Sequence, residues 1–420
     1  MIQFTKETPG YDSERIGFQL HSPHRPSVVV AARGADDIRA AMELGRPVAV
    51  QATGHGLRQP LDGGVLISTR RMTGVRVDPG ARTAWVEAGA TWQHVIDAAA
   101  PHGLAPLSGS APGVGAVSYT LGGGVGLLAR RYGFAADHVR RLDLVTVDGR
   151  THEVTASREP DLFWALRGGG GGLGVVTGME IDLMPVTHLY GGGLYFDASP
   201  DVLHAWWRWT AGVPEDVTSA VAMLPFPDVS AVPSPLRGRH IAQVQIACTD
   251  PALVEPLRAL GPVMDTLREL PYTESGAVFD EPSEPHAYLS ANRLLSTVDP
   301  SALAALPKLA GPSAPVMCVV GMRHLGGALT RPPAVPNAVS HREAGYSLSV
   351  LSPVPPGGAS LVRATHREVL APWEPHAIGR SLNHSFGPLA EDEVAAAFDP
   401  ASYARLAALK VLHDPDGRLR

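Results

Sequence analysis

The chain has 420 residues, of which 45% are hydrophobic and 18% are charged, and its formal net charge is -6 at pH 7. This length exceeds the size at which one hydrophobic core usually stops growing, so we expect two domains. The composition is typical of a packed globular protein, and the lack of a basic stripe argues against a nucleic-acid partner. We therefore expect a small-molecule substrate.

No stretch of the sequence reaches the roughly 18 apolar residues that a bilayer crossing requires, and the N-terminus has no basic segment followed by an apolar run. We expect a cytoplasmic protein without a membrane partner. The two cysteines, Cys248 and Cys318, each lie in an apolar run, which is typical of core thiols. No metal site is predicted, and the sequence does not indicate an oligomeric state.

The first hundred residues alternate between short apolar runs and amphipathic segments. This pattern predicts strands at 28–32, 47–51, 65–68 and 84–89 and helices at 35–44 and 91–100. Thr91 is a suitable N-cap for the second helix. The turn Thr53-Gly-His-Gly56 follows the second strand, so His55 is predicted at a strand end, where ligands are commonly bound.

A glycine-rich stretch, residues 109–126, is the most unusual part of the chain. Nearly half of its positions are glycine, so its backbone can lie directly against a large, flat or phosphorylated ligand. A run of tight turns is the alternative interpretation. Two further glycine-rich loops, at 50–56 and 167–177, favour a cofactor site, and we expect 109–126 to be a loop.

The remainder of the chain falls into two parts with different sequence patterns. Asp148-Gly149 indicates a hairpin, followed by a short helix at 160–167 and a buried strand at 173–184. Beyond residue 190, strand-like runs alternate with helices that begin at Ser199-Pro200, Asp250-Pro251 and Asp299-Pro300. The strand-like runs are at 193–196, 240–248, 315–322 and 346–350. This half predicts an antiparallel sheet backed by helices, and a last helix follows at 400–410.

Common nucleotide and catalytic motifs are weak or missing. A G-x-G-x-x-G spacing fits Gly169, Gly171 and Gly174, but it follows a helix and precedes a strand, the reverse of the Rossmann order. The sequence has no P-loop lysine, no zinc-type histidine pair on a helix and no G-x-S-x-G elbow. The glycine loops therefore have to be explained by another cofactor fold.

Taken together, the loops resemble the FAD-linked oxidases of the vanillyl-alcohol oxidase superfamily, in the berberine-bridge-enzyme-like branch. The similarity covers nearly the whole chain and rests on residues 53–56, 112–126, 163–177, Asn383 and the 403–415 pattern. It implies an α+β fold with a two-subdomain FAD-binding domain of PCMH type at 1–187. It also implies a substrate-binding domain at 188–375 and a C-terminal segment, 376–420, that returns to the FAD-binding domain.

The resemblance implies FAD contacts from the three loops and the C-terminal segment: Ala52, Thr53, Gly54, His55, Gly56, Ala111, Gly113, Val114, Gly115, Ser118, Tyr119, Gly122, Gly123, Gly126, Asp137, Gly174, Val176 and Asn383. His55 matches the histidine that bonds covalently to the flavin 8α-methyl. Ala111 replaces the cysteine of many relatives, so one bond through His55 is the most that we expect. Tyr119 replaces a common histidine. The alternatives are that His55 bonds only its own turn, that Asp137 is a turn acceptor and that Val176 is a core residue.

The resemblance also implies hydride transfer from a small-molecule substrate to the flavin, with dioxygen as the electron acceptor and hydrogen peroxide as a product. Relatives often have a tyrosine at the position of Ser381, and serine is a poor base, so the usual base is either missing or moved to another residue. His384 and Tyr346 are the two candidates, and the segment 323–327 is expected to line the site. An oxidase acting on a natural product or sugar and a flavoprotein catalysing a non-redox cyclisation both remain open.

Overall fold

The structure, a computed structural model, describes residues 1–57 and 59–420. Its strands form three sheets of four, five and nine strands. The predicted α+β class is confirmed, because helices pack against all three sheets and the largest sheet is antiparallel throughout. The longest described helix has 14 residues, and none of the helices in the described part of the chain has the length and hydrophobicity for a bilayer crossing.

The first sheet combines three parallel strands with one antiparallel edge strand. Its order is β1-β2-β4-β3, with β2 and β3 parallel to β4. Every residue of β4 is buried, as expected for a central parallel strand covered on both faces. The elements of this subdomain are β1 (Ile2–Phe4), α1 (Tyr11–Arg15), β2 (Val28–Ala31), α2 (Ala35–Met42), β3 (Val48–Gln51) and β4 (Val65–Ser68).

The second sheet is antiparallel, in the order β5-β6-β9-β7-β8. Its strands are β5 (Val75–Asp78), β6 (Thr83–Glu87), β7 (Val139–Val145), β8 (Thr151–Val154) and β9 (Val175–Asp182), and its helices are α3 (Trp92–Ala99), α4 (Ala116–Leu121), α5 (Ala129–Tyr132) and α6 (Pro160–Ala165). The predicted Asp148-Gly149 hairpin joins β7 to β8. Thr91 caps α3 by accepting a hydrogen bond from the His94 amide.

The glycine-rich stretch differs from its prediction as one continuous loop. Residues Ala116–Leu121 form helix α4 between the glycines at 115 and 122. The physical reason is burial, because Ala116, Val117 and Thr120 lie on one side of this short helix and pack into the first domain's core. The stretch is therefore a loop, a helix of six residues and a second loop.

The nine-stranded sheet forms the second domain. Its strands are β10 (His188–Asp197), β11 (Thr218–Pro225), β12 (His240–Cys248), β13 (Met264–Asp265), β14 (Arg268–Pro271), β15 (Tyr288–Leu295), β16 (Val319–His324), β17 (Tyr346–Pro353) and β18 (Ala377–Gly379). They run in the order β13-β10-β12-β11-β16-β17-β15-β18, and β14 also pairs with β10. The helices α7 (Pro200–Thr210), α8 (Glu255–Arg258), α9 (Pro300–Leu309) and α10 (Ala359–Leu370) belong to this domain. Ser199 and Asp299 cap α7 and α9 as predicted.

This sheet has one face covered by helices and one face turned toward the first domain. Alternate strand residues, among them Val221, Met322 and Leu348, pack with α7 and α9 in the helix-side core. The intervening residues form two rows across the other face: Gly193, Gln245, Ala220, Arg323, Ser347 and Leu294, and Tyr195, Gln243, Ala222, Gly321, Ser349 and Asn292. These rows are small and polar rather than hydrophobic.

Two buried arginines of the first domain hold the two domains together. Arg130, on α5, donates hydrogen bonds to four acceptors of the second domain: the carbonyl oxygens of Val217, Pro214 and Leu325 and Nε2 of His324. Arg167 donates in the same way to the carbonyl oxygens of Val335 and Pro336. Because a buried guanidinium needs partners for its N–H groups, these contacts fix the relative positions of the domains.

The C-terminal segment leaves the second domain and ends beside the first sheet. It contains α11 (Glu391–Ala395) and α12 (Pro400–His413). The Val48 amide donates to the carbonyl of Arg418 at 2.7 Å, and the Arg420 amide donates to the Val48 carbonyl at 2.9 Å. The strand β18 still pairs with β15, so the structure starts this return after Gly379 rather than at residue 376.

Candidate functional site

The turn after β3, residues 52–56, presents free backbone donors. No described residue accepts a hydrogen bond from the amide N–H groups of Thr53, Gly54, His55 or Gly56. The carbonyl groups are instead held, since Phe18 and Gln19 donate their amides to Thr53 and Gly54 at 2.9 and 3.1 Å. A row of unused N–H groups with fixed carbonyls is the arrangement that binds an anion.

Close backbone contacts explain why this turn needs its glycine at position 54. Gly54 has a φ of 74°, and an added Cβ would lie only 2.6 Å from Cα of Gly17. Arg70 fixes the start of the turn by donating from Nε to the Ala52 carbonyl at 3.0 Å and from Nη1 to the Ser13 carbonyl at 2.9 Å. The turn is therefore anchored from two sides.

The loop before α4 lies directly beside this turn. A Cβ added to Gly115 would be 3.5 Å from Cβ of Ala52 and 3.7 Å from Oγ1 of Thr53. The amide groups of Gly113 and Gly115 have no acceptor among the described residues, and the space around Gly113 is open to at least 4 Å. We call these two segments, 52–56 and 113–115, the amide cradle.

The other predicted residues of the second loop support this shape. Ala111 closes a tight turn by accepting the Val114 amide at 3.1 Å, and the Val114 carbonyl in turn accepts the Trp92 amide at 3.0 Å. The Ser118 hydroxyl donates to the carbonyl of Gly115 at 3.2 Å, and its side chain is exposed. These contacts leave the amide cradle accessible.

His55 projects from the cradle toward the second domain. Its ring stacks on Phe18 at a centroid distance of 3.9 Å, and its Nδ1 lies 2.8 Å from Oγ1 of Thr53. The hydroxyl of Tyr288 donates to the His55 carbonyl at 3.0 Å. Burial and the nearby His286 lower the pKa of His55 to about 4, so its imidazole is neutral at pH 7.

Tyr119, Gly122 and Asn383 meet where the C-terminal segment crosses α4. The Asn383 amide donates from Nδ2 to the Tyr119 carbonyl at 2.8 Å, and a Cβ on Gly122 would lie 2.1 Å from Oδ1 of Asn383. The Tyr119 hydroxyl is buried with no hydrogen-bond partner among the described residues, and burial raises its pKa. A buried unpaired hydroxyl indicates that a polar ligand atom belongs beside it.

Gly123 and Gly126 are packing positions next to this junction. A Cβ on Gly126 would come 1.7 Å from the carbonyl oxygen of Ser108 and 3.2 Å from the Tyr119 hydroxyl. Gly123 has a φ of 101°, and its amide donates to the Thr120 carbonyl at 3.0 Å, which ends α4. Of these two positions, Gly126 is the one close to the unpaired hydroxyl of Tyr119.

Asp137 is placed differently from its expected role beside a ribose. Its carboxylate accepts from Nη2 of Arg342 at 2.6 Å, from Nδ2 of Asn337 at 2.7 Å and from the Phe134 amide at 3.0 Å. The physical reason is the charge of Arg342, which comes from the second domain. Asp137 therefore acts as a turn acceptor and as a domain-joining ion pair.

Gly174 and Val176 lie at the start of the central strand β9. A Cβ on Gly174 would be 2.5 Å from Leu144, which explains the glycine, and Val176 pairs with Leu144 in the sheet. The Val176 side chain is buried in the hydrophobic core. These contacts fit the core interpretation of Val176, while its backbone stays at the edge of the 167–174 loop.

A cavity lies between the second loop, the nine-stranded sheet and the C-terminal segment. Its lining includes Gly122, Arg323, Ser347, Ser381 and His384, together with apolar residues such as Leu294 and Leu325. Burial and the charge of Arg323 lower the pKa of His384 to about 3, so this imidazole is neutral across the physiological range. Ser381 contacts it, with Oγ 3.4 Å from Nδ1.

Tyr346, the other candidate base, lies on the opposite face of its strand. Its hydroxyl is 2.7 Å from Oγ1 of Thr210 on α7, and its ring packs edge-on against Trp206. Since side chains alternate along a strand, Ser347 rather than Tyr346 is on the cavity side. The structure thus corrects the expectation that Tyr346 lies in the site.

Several residues that the sequence analysis did not identify lie at the site. Gln243 and Gln245 are buried on the face toward the first domain, and Nε2 of Gln243 donates to the Tyr195 hydroxyl at 3.0 Å. Two glutamines at alternate positions of an otherwise apolar strand are a sequence signal from which these residues could have been predicted. Phe18 and Tyr288 had no such signal, because they reach His55 only through tertiary contacts.

The part of the chain that the structure describes contains no group of three or more His, Cys, Asp or Glu side chains that could hold a metal ion. Cys248 and Cys318 are free and buried in the helix-side core of the second domain. Burial raises the pKa of both thiols. Neither thiol is next to the amide cradle.

Comparison with known proteins identifies the first domain. Residues 26–155 match a family described as FAD binding domain. The chain is 34% identical over 165 residues to (R)-6-hydroxynicotine oxidase of Paenarthrobacter nicotinovorans, covering 38% of this chain and 36% of that protein. It is 32% identical over 191 residues to berberine bridge enzyme-like D-1 of Nicotiana tabacum, covering 42% and 33%. The alignments span 36–52% of the lengths of the first three relatives.

Solved structures match over the whole chain. The structure of 6-hydroxy-D-nicotine oxidase from Arthrobacter nicotinovorans superposes with a TM-score of 0.85 at 21% identity, covering 100% of this chain and 96% of that one. Xylooligosaccharide oxidase from Myceliophthora thermophila, solved with xylobiose, superposes with a TM-score of 0.85 at 19% identity, covering 99% and 95%. The predicted α+β fold with a PCMH-type FAD-binding domain is confirmed, as is the resemblance to flavin-linked oxidases of the berberine-bridge-enzyme-like branch.

Proposed function

We propose that this chain, whose residues 26–155 form an FAD-binding domain, is an FAD-dependent oxidase of a small-molecule alcohol, amine or sugar. The net reaction removes two electrons and two protons from the substrate and reduces dioxygen to hydrogen peroxide. The observation that carries the proposal is the amide cradle beside His55, because free N–H groups from two separate loops converge on one place. Bound FAD supplies the electron-accepting chemistry, and the protein supplies binding, orientation and exclusion of water.

The residues at the site fit this cofactor. The amide cradle, residues 52–56 and 113–115, would hold the pyrophosphate without a charged side chain. The unpaired Tyr119 hydroxyl would serve a polar edge of the flavin, and Asn383 holds α4 from the other side. The polar face of the nine-stranded sheet would then carry the substrate.

We also propose that FAD is attached covalently through His55 alone. A neutral imidazole has a free lone pair for bond formation, and the low pKa of His55 keeps it neutral. Stacking on Phe18 and the contact with Thr53 restrict its ring to one orientation. Ala111 cannot form a second bond, and both cysteines are buried elsewhere.

The proton acceptor is the open part of the mechanism. His384 is the candidate that lines the cavity, and its neutral ring has the form that accepts a proton, although a pKa of about 3 makes it a weak base. Tyr346 is directed away from the cavity. A cytoplasmic location stays a prediction.

Reoxidation of the reduced protein tests the oxidase proposal without knowledge of the substrate. The purified protein is reduced with dithionite under argon, mixed with air-saturated buffer, and followed at about 450 nm, where oxidised flavin absorbs. We expect return of the absorbance within seconds and one hydrogen peroxide per flavin. A colourless protein contradicts FAD binding, and reoxidation over many minutes contradicts dioxygen as the acceptor.

Acid precipitation tests the covalent bond. We expect the yellow colour to stay with the precipitated protein, and to pass into the supernatant from His55→Ala. His188→Ala, which removes an exposed histidine, is the matched control and should keep its colour in the pellet. Release of flavin from the unmodified protein would rule out the attachment.

Non-redox cyclisation is not favoured, since the relatives reported above are named as oxidases or as berberine bridge enzyme-like proteins. Anaerobic mixing with a substrate separates the two reactions. An oxidase bleaches its flavin during a single turnover, whereas a cyclase forms product with the flavin still oxidised.

A further inference from the structure

We propose that the substrate carries a carboxylate group and that Arg323 binds it. The inference rests on the proposed function, because it takes the substrate to lie between the flavin and the nine-stranded sheet. Arg323 is on β16, in the row that faces the first domain, and its side chain lines the cavity together with His384 and Ser381. It is therefore a charged group at the place where a substrate would bind.

The charge balance of the cavity singles out this arginine. Three arginines line it, and two of them have a carboxylate partner. Arg342 pairs with Asp137 at 2.6 Å, and Arg380 pairs with Glu393 at 2.8 Å. Among the described residues, no carboxylate oxygen lies within 4.0 Å of the Arg323 guanidinium, whereas Nη1 donates to the Val125 carbonyl at 3.0 Å and Nη2 donates to the Ser110 hydroxyl at 3.3 Å.

These two contacts use only part of the hydrogen-bonding capacity of the guanidinium. Arginine has five N–H donors, so Nε–H and one N–H on each terminal nitrogen remain without an acceptor among the described residues. The hydroxyl of Ser110 donates its own hydrogen bond to Oε1 of Glu281 at 2.5 Å, so Ser110 lies between that carboxylate and Arg323. Burial lowers the pKa of Arg323, and the charge of Glu281 opposes this shift from beyond the hydroxyl. Arg323 is half-buried and lines the cavity, so these free donors are available to an anion that enters it.

The surroundings of Arg323 leave room for such an anion. Its neighbours across the sheet are Ala220 and Ser347, both of which are small. Phe279 packs at 4.7 Å from the guanidinium carbon and holds one face of the group. The Nε–H group and one N–H on each terminal nitrogen stay unpaired among the described residues, and guanidinium N–H groups suit the two oxygens of a carboxylate.

His384 does not compete for the anion. Burial and the charge of Arg323 keep its imidazole neutral, with a pKa of about 3. Arg323 is thus the cation in this cavity whose charge no described carboxylate directly offsets. Ser347 and Ser381 add hydroxyl groups that suit a carboxylate or a neighbouring polar group.

Benzoate and benzamide are the probes for this inference, because they have the same shape and differ in charge. Each is titrated into the yellow holoprotein at pH 7.5, and binding is read from the change in the flavin absorption spectrum. We expect benzoate to bind about tenfold more tightly than benzamide, as a charged hydrogen-bonded pair does relative to a neutral one. Arg323→Gln should remove this preference, and Arg323→Lys should keep part of it.

Arg331→Gln is the matched control, since Arg331 pairs with Glu215 on the exposed surface and its removal should leave the preference unchanged. Equal affinity for the two probes in the unmodified holoprotein overturns the inference, as does a failure to bind either. Undiminished preference in Arg323→Gln also overturns it. If Arg323→Gln does not retain flavin, Arg323→Lys decides. A yellow protein that does not prefer benzoate over benzamide contradicts only this inference, whereas a colourless protein contradicts the proposed function as well.

Discussion

The two halves of the site are built from different parts of the chain. The amide cradle uses backbone groups of consecutive residues, and apart from His55 its side chains are small or absent. The face of the nine-stranded sheet uses side chains from every second position of strands that are distant in the chain, such as those of Gln245, Arg323 and Ser347. In the proposed function the first half binds FAD and the second half binds the substrate.

This difference explains which part of the function can be inferred from the sequence alone. A backbone site needs glycine at high density within one segment, and this is visible in a single sequence. A side-chain site needs strand register, which becomes visible only when the strands are paired. The cofactor is therefore identified before the substrate.

The sharpest way to test the backbone half is to fill the amide cradle without disturbing the fold. Gly113→Val adds methyl groups where no atom lies within 4 Å, so we expect unfolding to be unchanged. The methyl groups would occupy the place of the pyrophosphate, and FAD affinity should fall by about 1–3 kcal/mol, roughly fivefold to 150-fold. The measurement is the flavin-to-protein absorbance ratio together with the melting temperature.

The control is Gly34→Val, since Gly34 has equally open surroundings, lies before α2 and has an extended φ of 174°. It should retain full flavin content. If Gly113→Val also retains it, the backbone half of the comparison is wrong.

A second test concerns the helix side of the sheet, which we regard as scaffold. His366 on α10 is buried, its Nε2 lies 2.9 Å from the Ser352 hydroxyl, and burial together with Arg363 lowers its pKa to about 4. An unfolded histidine has a pKa near 6.5, so only the unfolded chain takes up this proton between about pH 6.5 and pH 4. The free energy of unfolding should therefore decrease as the pH is lowered through this window, by about 2 kcal/mol at pH 5 from His366 alone.

Urea unfolding at pH 7.5 and pH 5 measures this effect. His366→Gln cannot take up the proton, so the difference between the two pH values should shrink by about 2 kcal/mol. His188→Gln, at an exposed position, should leave the difference as it is. If the free energy of unfolding differs between pH 7.5 and pH 5 by the same amount in His366→Gln as in the unmodified protein, His366 is not held neutral in the folded state.

The smallest expected effect distinguishes the two faces of β17. Tyr346→Phe removes the hydroxyl that contacts Thr210, and the lost hydrogen bond should cost about 1 kcal/mol of unfolding free energy. The rate of flavin reduction by a substrate should stay within about twofold, because the ring faces the helices. A loss of about a hundredfold in the rate of flavin reduction, measured by anaerobic stopped flow, would show that Tyr346 takes part in the reaction.

Much of the fold followed from local patterns. The capped helices at Ser199 and Asp299, the Asp148-Gly149 hairpin and the strand at 240–248 appear where the sequence indicates them. The helix inside the glycine-rich stretch was missed, since six residues between glycines carry too weak a periodicity. The strands β11 and β15 were also missed, although segments with proline and aspartate flank both of them.

The site divides in the same way. The loops around His55 and Gly113 were identified by glycine spacing, and the structure brings them together. Asp137 was predicted to contact the cofactor. Its ion-pair partner Arg342 lies 205 residues away in the chain, so this pairing is visible only in the structure. Tyr346 was assigned to the wrong face because the run Tyr346-Ser347-Leu348-Ser349 does not by itself reveal which face of the strand meets the helices.

The guanidinium of Arg130 has a consequence for how small molecules enter and leave. It is hydrogen-bonded to four acceptors in the second domain, so rigid-body separation of the domains would have to break all four contacts together. Such an opening is far more costly than the displacement of a surface loop. Small molecules would therefore reach the cavity along its rim, and the width of that rim, rather than a hinge, would set the largest molecule that the site can accept.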